Sequence, residues 1–158
     1  MENITLFLCD IYGTYKRSNE VVSDKEIKEL LDNLEKLRIN NNSEKIIFSF
    51  ISTENEIVVK KESDNLKMNN NYENIELGIH FFENGCFDNK ETYFNNIRGK
   101  IAQILFYLEH LGKNYKIDKI YFADDSNIYH DMLTDILEDT PLKDKIKSIV
   151  PTTSKGLE

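Results

Sequence analysis

No stretch of this chain approaches the ~20 consecutive apolar residues that a helix needs to cross a bilayer. Nor does a basic segment followed by a long apolar one open it, so a cytoplasmic location is the expectation. Basic residues are the minority: 20 Lys and Arg stand against 28 Asp and Glu, a formal net charge of −8. Tracking a nucleic acid needs clustered Lys and Arg to neutralise phosphates, so that partner is disfavoured. A small phosphorylated ligand held through a metal is not. Cysteine is scarce as well, and Cys9 and Cys86 make neither a disulfide framework nor a metal pattern. Cys9, on an apolar run beside Asp10, reads as a core thiol rather than a nucleophile. Internal repeats and interdomain linkers are missing too. One domain over residues 1–158 follows, with room for a small insertion around 83–96.

What is present alternates strand and helix. Thr5-Leu-Phe-Leu-Cys9 runs straight into Asp10, and an apolar run ended by a turn residue reads as a strand buried on both faces. Ser23-Asp-Lys-Glu26 has the form of a capping box, and Ile27, Leu30, Leu31, Leu34 and Leu37 continue at helical spacing over 24–38. Ile46 to Ile51 forms a second strand, 54–68 fits a helix, and Ile75 to Phe82 forms a third strand ending at Asn84-Gly85. A helix over 97–111 stops at Gly112, and Lys119 to Ala123 is a fourth strand. Ile128, Met132, Leu133, Ile136 and Leu137 mark a last helix before Pro141, and Ile146 to Val150 closes the set. Such repetition means βαβ units with right-handed crossovers. The expected fold is α/β: a three-layer α/β/α Rossmann-like domain with a mostly parallel five-stranded sheet.

The chemistry gathers at strand ends. Asp10 ends the first strand, Ser52 and Thr53 the second, Asp124 and Asp125 the fourth, and Lys100 opens the helix leading into the fourth. In an open parallel sheet the carboxyl ends share one edge, where ligands bind. Carboxylates meeting there repel one another unless a cation neutralises them. Hard oxygen donors with a substrate phosphate suit Mg²⁺. A carboxylate so placed can attack phosphorus, while a hydroxyl and an ammonium hold the phosphoryl oxygens.

These residues, in this order, resemble the haloacid dehalogenase-like (HAD) hydrolases. Leu8-Cys-Asp-Ile-Tyr-Gly-Thr14 is similar to the family's first motif, an apolar strand followed by Asp-x-Asp-Gly-Thr. Phe50-Ile-Ser-Thr53 resembles the second, Lys100 the third-motif lysine, and Ile120-Tyr-Phe-Ala-Asp-Asp-Ser-Asn127 the fourth. The resemblance implies a Rossmann-like core, Mg²⁺ dependence and hydrolysis of phosphate esters through an aspartyl-phosphate on Asp10. It makes Asp10, Asp124, Asp125 and the backbone carbonyl of Tyr12 the metal ligands, with Ser52 and Lys100 on the phosphate.

One departure matters. The family's second aspartate of the first motif protonates the leaving group and then activates water, and here Tyr12 replaces it. A phenol, with an ordinary pKa near ~10, does not simply inherit a role worth ~10²–10⁴-fold. The alternatives are a slow phosphatase, an enzyme for leaving groups that need no proton, or a degenerate member that binds a protein partner or a phosphorylated ligand. Short connections leave little room for a large cap. An open site suits a phosphorylated small molecule, a phosphoprotein, or a partner chain acting as lid.

Bland readings stand beside these. Asp10 can make an Asx turn, Asp124 and Asp125 can be a solvated helix entry, and Ser52 or Thr53 can cap a helix. Lys100 can be a surface lysine, and Tyr12 can pack over the cleft. Asp131 stands one position beyond the family's tight acidic spacing. His110 and His80 read as surface and structural residues, and His130 is the histidine placed to substitute as acid or base.

Overall fold

The structure, a computed structural model, describes residues 1–16, 20–52, 56–77 and 97–149. Among the described residues, five strands, β1 (Glu2–Cys9), β2 (Lys45–Phe50), β3 (Ile75–Leu77), β4 (Tyr115–Ala123) and β5 (Ile146–Ile149), alternate with four helices: α1 (Asp24–Asn40), α2 (Glu56–Asn69), α3 (Ile97–Gly112) and α4 (Asn127–Leu137). The sheet order is β3-β2-β1-β4-β5 and every pairing is parallel. From β1 the chain steps outward through β2 to β3, then crosses back to lay β4 on the other side of β1. That reversal makes the gap between the carboxyl ends of β1 and β4 a topological switch point, where open α/β sheets bind ligands.

Alternation along each strand sends side chains to two cores. Ile4, Leu6 and Leu8 of β1 join Ile47, Ile120 and Phe122 beneath α3 and α4. Phe7 and Cys9 join Ile46, Phe48 and Phe50 beneath α1 and α2. The sheet is therefore the middle layer of three. Each fully buried Ile, Leu or Phe is worth about 1.5–3 kcal/mol, which is why β1, lined with such residues on both faces, reads as an uninterrupted apolar run. Phe7 stacks between Phe48 and Tyr121, at ring-centroid distances of 5.4 and 5.8 Å.

The helices follow the apolar spacing, with local differences. In α1 the capping box forms: the Glu26 amide donates to Ser23 Oγ, and the Ser23 amide donates to the Glu26 carboxylate, each at 3.2 Å. The helix runs to Asn40 rather than 38, and α2 is described over Glu56–Asn69, ending one residue beyond the expected 68; residues 54 and 55 lie outside the described residues. The third strand is described to Leu77; its expected remainder to Phe82, Asn84-Gly85, Cys86, His80 and the suggested insertion at 83–96 lie outside the described residues.

Two differences have a clear physical cause. β4 starts at Tyr115, four residues before the expected Lys119. Its pairing with β1 slips between Ile4 and Thr5, which face Ile117 and Lys119. Asp118 is the extra residue of a β-bulge, so the inward positions change from odd (Ile117) to even (Ile120, Phe122) and alternation in the sequence breaks. In α4 the buried residues are His130, Leu133 and Leu137, whereas Ile128 and Ile136 are exposed. The apolar stripe is wider than the seam, and the helix packs along one flank of it.

Candidate active site at the carboxyl edge of the sheet

Asp10 is placed by backbone pairing that outlasts β1 by one residue: its amide donates to the Ala123 carbonyl at 2.9 Å. Asp124 is placed in the same way, its amide donating to the Ile149 carbonyl at 3.1 Å. The two aspartates thus cap adjacent strands at the switch point. Asp125 follows in the turn into α4, and ligand oxygens of Asp10, Asp124 and Asp125 all lie within 4.8 Å of one another.

The turn after Asp10 is tight. The amides of Thr14, Tyr15 and Lys16 all point to the Ile11 carbonyl, and Gly13 takes φ +83°. Glycine adopts that region without steric cost. The close neighbour of this glycine is the Asp125 carboxylate. A Cβ at Gly13 would stand 2.3 Å from Asp125 Oδ2.

Lys100 reaches down from the first turn of α3 into the carboxylates. It is 3% exposed, and its Nζ donates to Asp124 Oδ2 at 2.6 Å and to Asp10 Oδ1 at 3.1 Å. Burial alone would lower the Lys100 pKa, but the charges of Asp10 and Asp124 outweigh it and hold the ammonium above its ordinary range. Asp10 is pushed up to about 6: burial raises it most, Asp124 and Asp125 add to this, and Lys100 opposes. Asp124 also accepts from the Ser126 amide at 2.9 Å through Oδ1, so both its oxygens are engaged.

These groups line one cavity of about 180 Å³ together with Tyr12, Ser52 and Tyr129. Ser52 is buried, and its backbone carbonyl accepts from Gln103 Nε2 of α3 at 3.2 Å, which ties the end of β2 to the helix bearing Lys100. A larger cavity of about 340 Å³ lies between α1 and the 69–72 turn. It gathers no comparable group of charges, so chemistry rather than volume selects the site.

All six residues singled out in the sequence, Asp10, Tyr12, Ser52, Lys100, Asp124 and Asp125, therefore meet around one space. Thr53 lies outside the described residues. Cys9 is fully buried with its thiol pushed well up by burial first, as an inert core thiol should be.

His130 packs inward. It is 6% exposed, is not among the residues lining the cavity, and packs its ring on Phe122 at 4.7 Å. Its Nε2 stands 2.9 Å from the Asp124 carbonyl, which can only accept, so the proton is committed to anchoring that turn. The N-cap position of α4 is Ser126, whose side chain makes no capping hydrogen bond.

Sequence reasoning missed Tyr129. From the first turn of α4 its ring covers the Lys100 ammonium, with Nζ 4.3 Å from the ring centroid. Its pKa is raised, by burial first and by Asp124 and Asp10 against the opposing Lys100. The available signal was its place in the first turn of a helix that begins at a strand end.

The donor set fits a hard divalent cation. Three carboxylates against one ammonium leave an excess of negative charge when all are ionised, and the donors are oxygens. A buried ion cluster is poor evidence for stability, since apolar replacements often serve as well. Among the described residues no helix is long and apolar enough to cross a membrane. No protein-family model, curated protein or solved structure matches the chain.

Proposed function

We propose that this protein transfers phosphoryl groups in the manner of haloacid dehalogenase-like hydrolases, cleaving phosphate monoesters through an aspartyl-phosphate on Asp10 with Mg²⁺ as cofactor. The observation that carries the reading is the convergence of Asp10, Asp124 and Asp125 within 4.8 Å, with the buried Lys100 ammonium on two of them.

Asp10, Asp124, Asp125 and the backbone carbonyl of Tyr12 would hold the Mg²⁺, which supplies charge neutralisation between the carboxylates and an incoming phosphate. Asp10 attacks phosphorus, forming the acyl-phosphate bond as the bond to the leaving oxygen breaks. Lys100 stands on Asp10 and Asp124, within reach of phosphoryl oxygens whose charge redistributes as this occurs. Ser52 lines the same cavity from the end of β2 and offers a hydroxyl. Water then attacks the aspartyl-phosphate, releasing phosphate and restoring the Asp10 carboxylate.

Tyr12 favours a second reading: a catalytically degenerate member that binds a phosphorylated ligand, or a protein partner that covers the open site. Tyr12 lines the cavity and stands in the sequence motif at the position of the family's acid, and Lys16 Nζ stands 5.7 Å from its ring centroid. A phosphorylated small molecule or a phosphoprotein is the substrate class of the first reading. The acidic chain makes nucleic acid unfavourable for both.

The deciding experiment is hydrolysis of p-nitrophenyl phosphate with and without Mg²⁺ by the wild type, Asp10→Asn and Tyr12→Asp. Mg²⁺-dependent turnover abolished by Asp10→Asn is the expected result. Turnover that appears only in Tyr12→Asp would mark a retired catalyst. Its absence from every variant, with metal bound, would establish the binding reading.

A further inference from the structure

We infer that Tyr129 is a positioning residue for the transfer proposed at this site: the face of its ring keeps the Lys100 ammonium in place once Asp10 gives up its charge. This rests on the phosphoryl-transfer reading and adds to it a residue that acts through Lys100.

The geometry comes from two helices. Lys100 descends from α3, and Tyr129 stands in the first turn of α4 with Nζ 4.3 Å from its ring centroid. A cation within ~6 Å of a ring centroid and over its face is attracted by the ring quadrupole, the more so when desolvated. Lys100 is desolvated, at 3% exposure. The turn that carries the ring is itself anchored. Its next residue, His130, donates from Nε2 to the Asp124 carbonyl at 2.9 Å and packs on Phe122 at 4.7 Å. The ring is thereby seated against the strand end whose Asp124 carboxylate also holds Nζ. Tyr129 lines the same cavity as Asp10, Lys100 and Asp124.

Two carboxylates hold Lys100 at rest, Asp124 at 2.6 Å and Asp10 at 3.1 Å. That hold weakens during the reaction. When an Asp10 oxygen bonds to phosphorus, the carboxylate becomes a neutral acyl group, and the electron pair of the broken bond departs on the leaving oxygen. Asp10 and Asp124 are also the proposed metal ligands, so the ammonium shares their oxygens with a second cation. A lysine is a strongly hydrated head on a flexible four-carbon stem, and the loss of one anchor frees it toward water. The attraction of the ring does not depend on the charge of Asp10. It survives the step and leaves Lys100 beside the phosphoryl oxygens as their charge redistributes. Burial first of all pushes the Tyr129 phenol up, so the contact stays one of neutral ring with cation.

The test is steady-state hydrolysis of p-nitrophenyl phosphate with Mg²⁺ by the wild type, Tyr129→Leu and Tyr129→Phe. Beside it stand the proton NMR signals of the Lys100 Hε atoms in metal-free protein. Tyr129→Leu should lower kcat about ten- to thirtyfold, the worth of a desolvated contact between cation and ring. KM should stay within about twofold, because an interaction gained on the way to the transition state lowers kcat and kcat/KM together. Tyr129→Phe, which keeps the ring, should regain most of that loss. A ring face shields the atoms beneath it, so the Lys100 Hε signals should lie upfield of those of exposed lysines. They should stay there in Asp10→Asn, in which the charge at residue 10 is gone. A loss as deep in Tyr129→Phe as in Tyr129→Leu would assign the effect to the hydroxyl and overturn the inference. A raised KM at unchanged kcat, the mark of a substrate contact, would do the same. Lys100 signals that move to the exposed position in Asp10→Asn overturn it without reference to turnover, and decide the matter should Tyr129→Leu not fold. Wild-type turnover indifferent to Tyr129→Leu defeats this inference alone. A wild type without turnover defeats it together with the phosphoryl-transfer reading.

Discussion

Gly13 and Asp125, on different strand-end turns, occupy the same point: the space a Gly13 side chain would take is held by Asp125 Oδ2, 2.3 Å from an ideal Cβ. The first turn of the site thus fixes where the carboxylate of the second can stand. Asp125 is exposed, and this steric seat, rather than burial, confines it.

Gly13→Ala should therefore damage the site in two ways. At φ +83° a side chain costs about 1–2 kcal/mol, and its methyl group displaces Asp125 from the shared cluster. The expected outcome is a modest fall in thermal stability with a disproportionate loss of Mg²⁺ affinity by calorimetry. Unchanged affinity would show that Asp125 is not a ligand.

Lys100→Met should expose the cost of the uncompensated carboxylates. Removing one partner of a buried ion pair costs about 3–5 kcal/mol, and Lys100 serves two partners, Asp10 and Asp124. Chemical denaturation of the metal-free variant should show a loss of that order. Mg²⁺ should restore more stability to Lys100→Met than to the wild type, because the cation replaces the missing charge. Equal Mg²⁺ effects on both would place the metal elsewhere.

The titration of Asp10 has a definite sign. Its folded pKa is pushed up to about 6 from an ordinary carboxylate value near ~3.9, so folding favours the protonated acid. That contribution is complete below pH ~4 and is lost as pH rises through ~6. At about 1.4 kcal/mol per unit it amounts to roughly 3 kcal/mol at most. Metal-free protein should lose stability across this window, and Asp10→Asn should lose much less. Mg²⁺, which competes with the proton, should bind more tightly as pH rises to ~6 and then level off. A flat wild-type profile would remove Asp10 from the coupled cluster.

How much of this was legible in the chain depends on the range of the interaction concerned. β1, the capping box of α1 and the apolar stripes of α1 and α3 are local patterns, each written within two or three turns or one strand. With the Asp10-Ile-Tyr-Gly-Thr14 and Ala123-Asp-Asp125 segments they disclosed the layered fold and nominated the six residues of the cavity. The register slip at Asp118 was hidden, because a bulge is a property of two strands and only pairing with Ile4 and Thr5 reveals it.

The amino-acid order alone determined which residues end strands and which faces of the helices are apolar, since periodicity and turn chemistry act between near neighbours. Only tertiary packing decided that Lys100 is a buried clamp and not a surface lysine, that His130 turns inward to hold Asp124, and that Tyr129 covers the ammonium. The Lys100 and Tyr129 contacts join segments distant along the chain, and His130 reaches back to a strand end that those contacts hold in place. Such contacts exist only once both cores have drawn the strand ends to one edge.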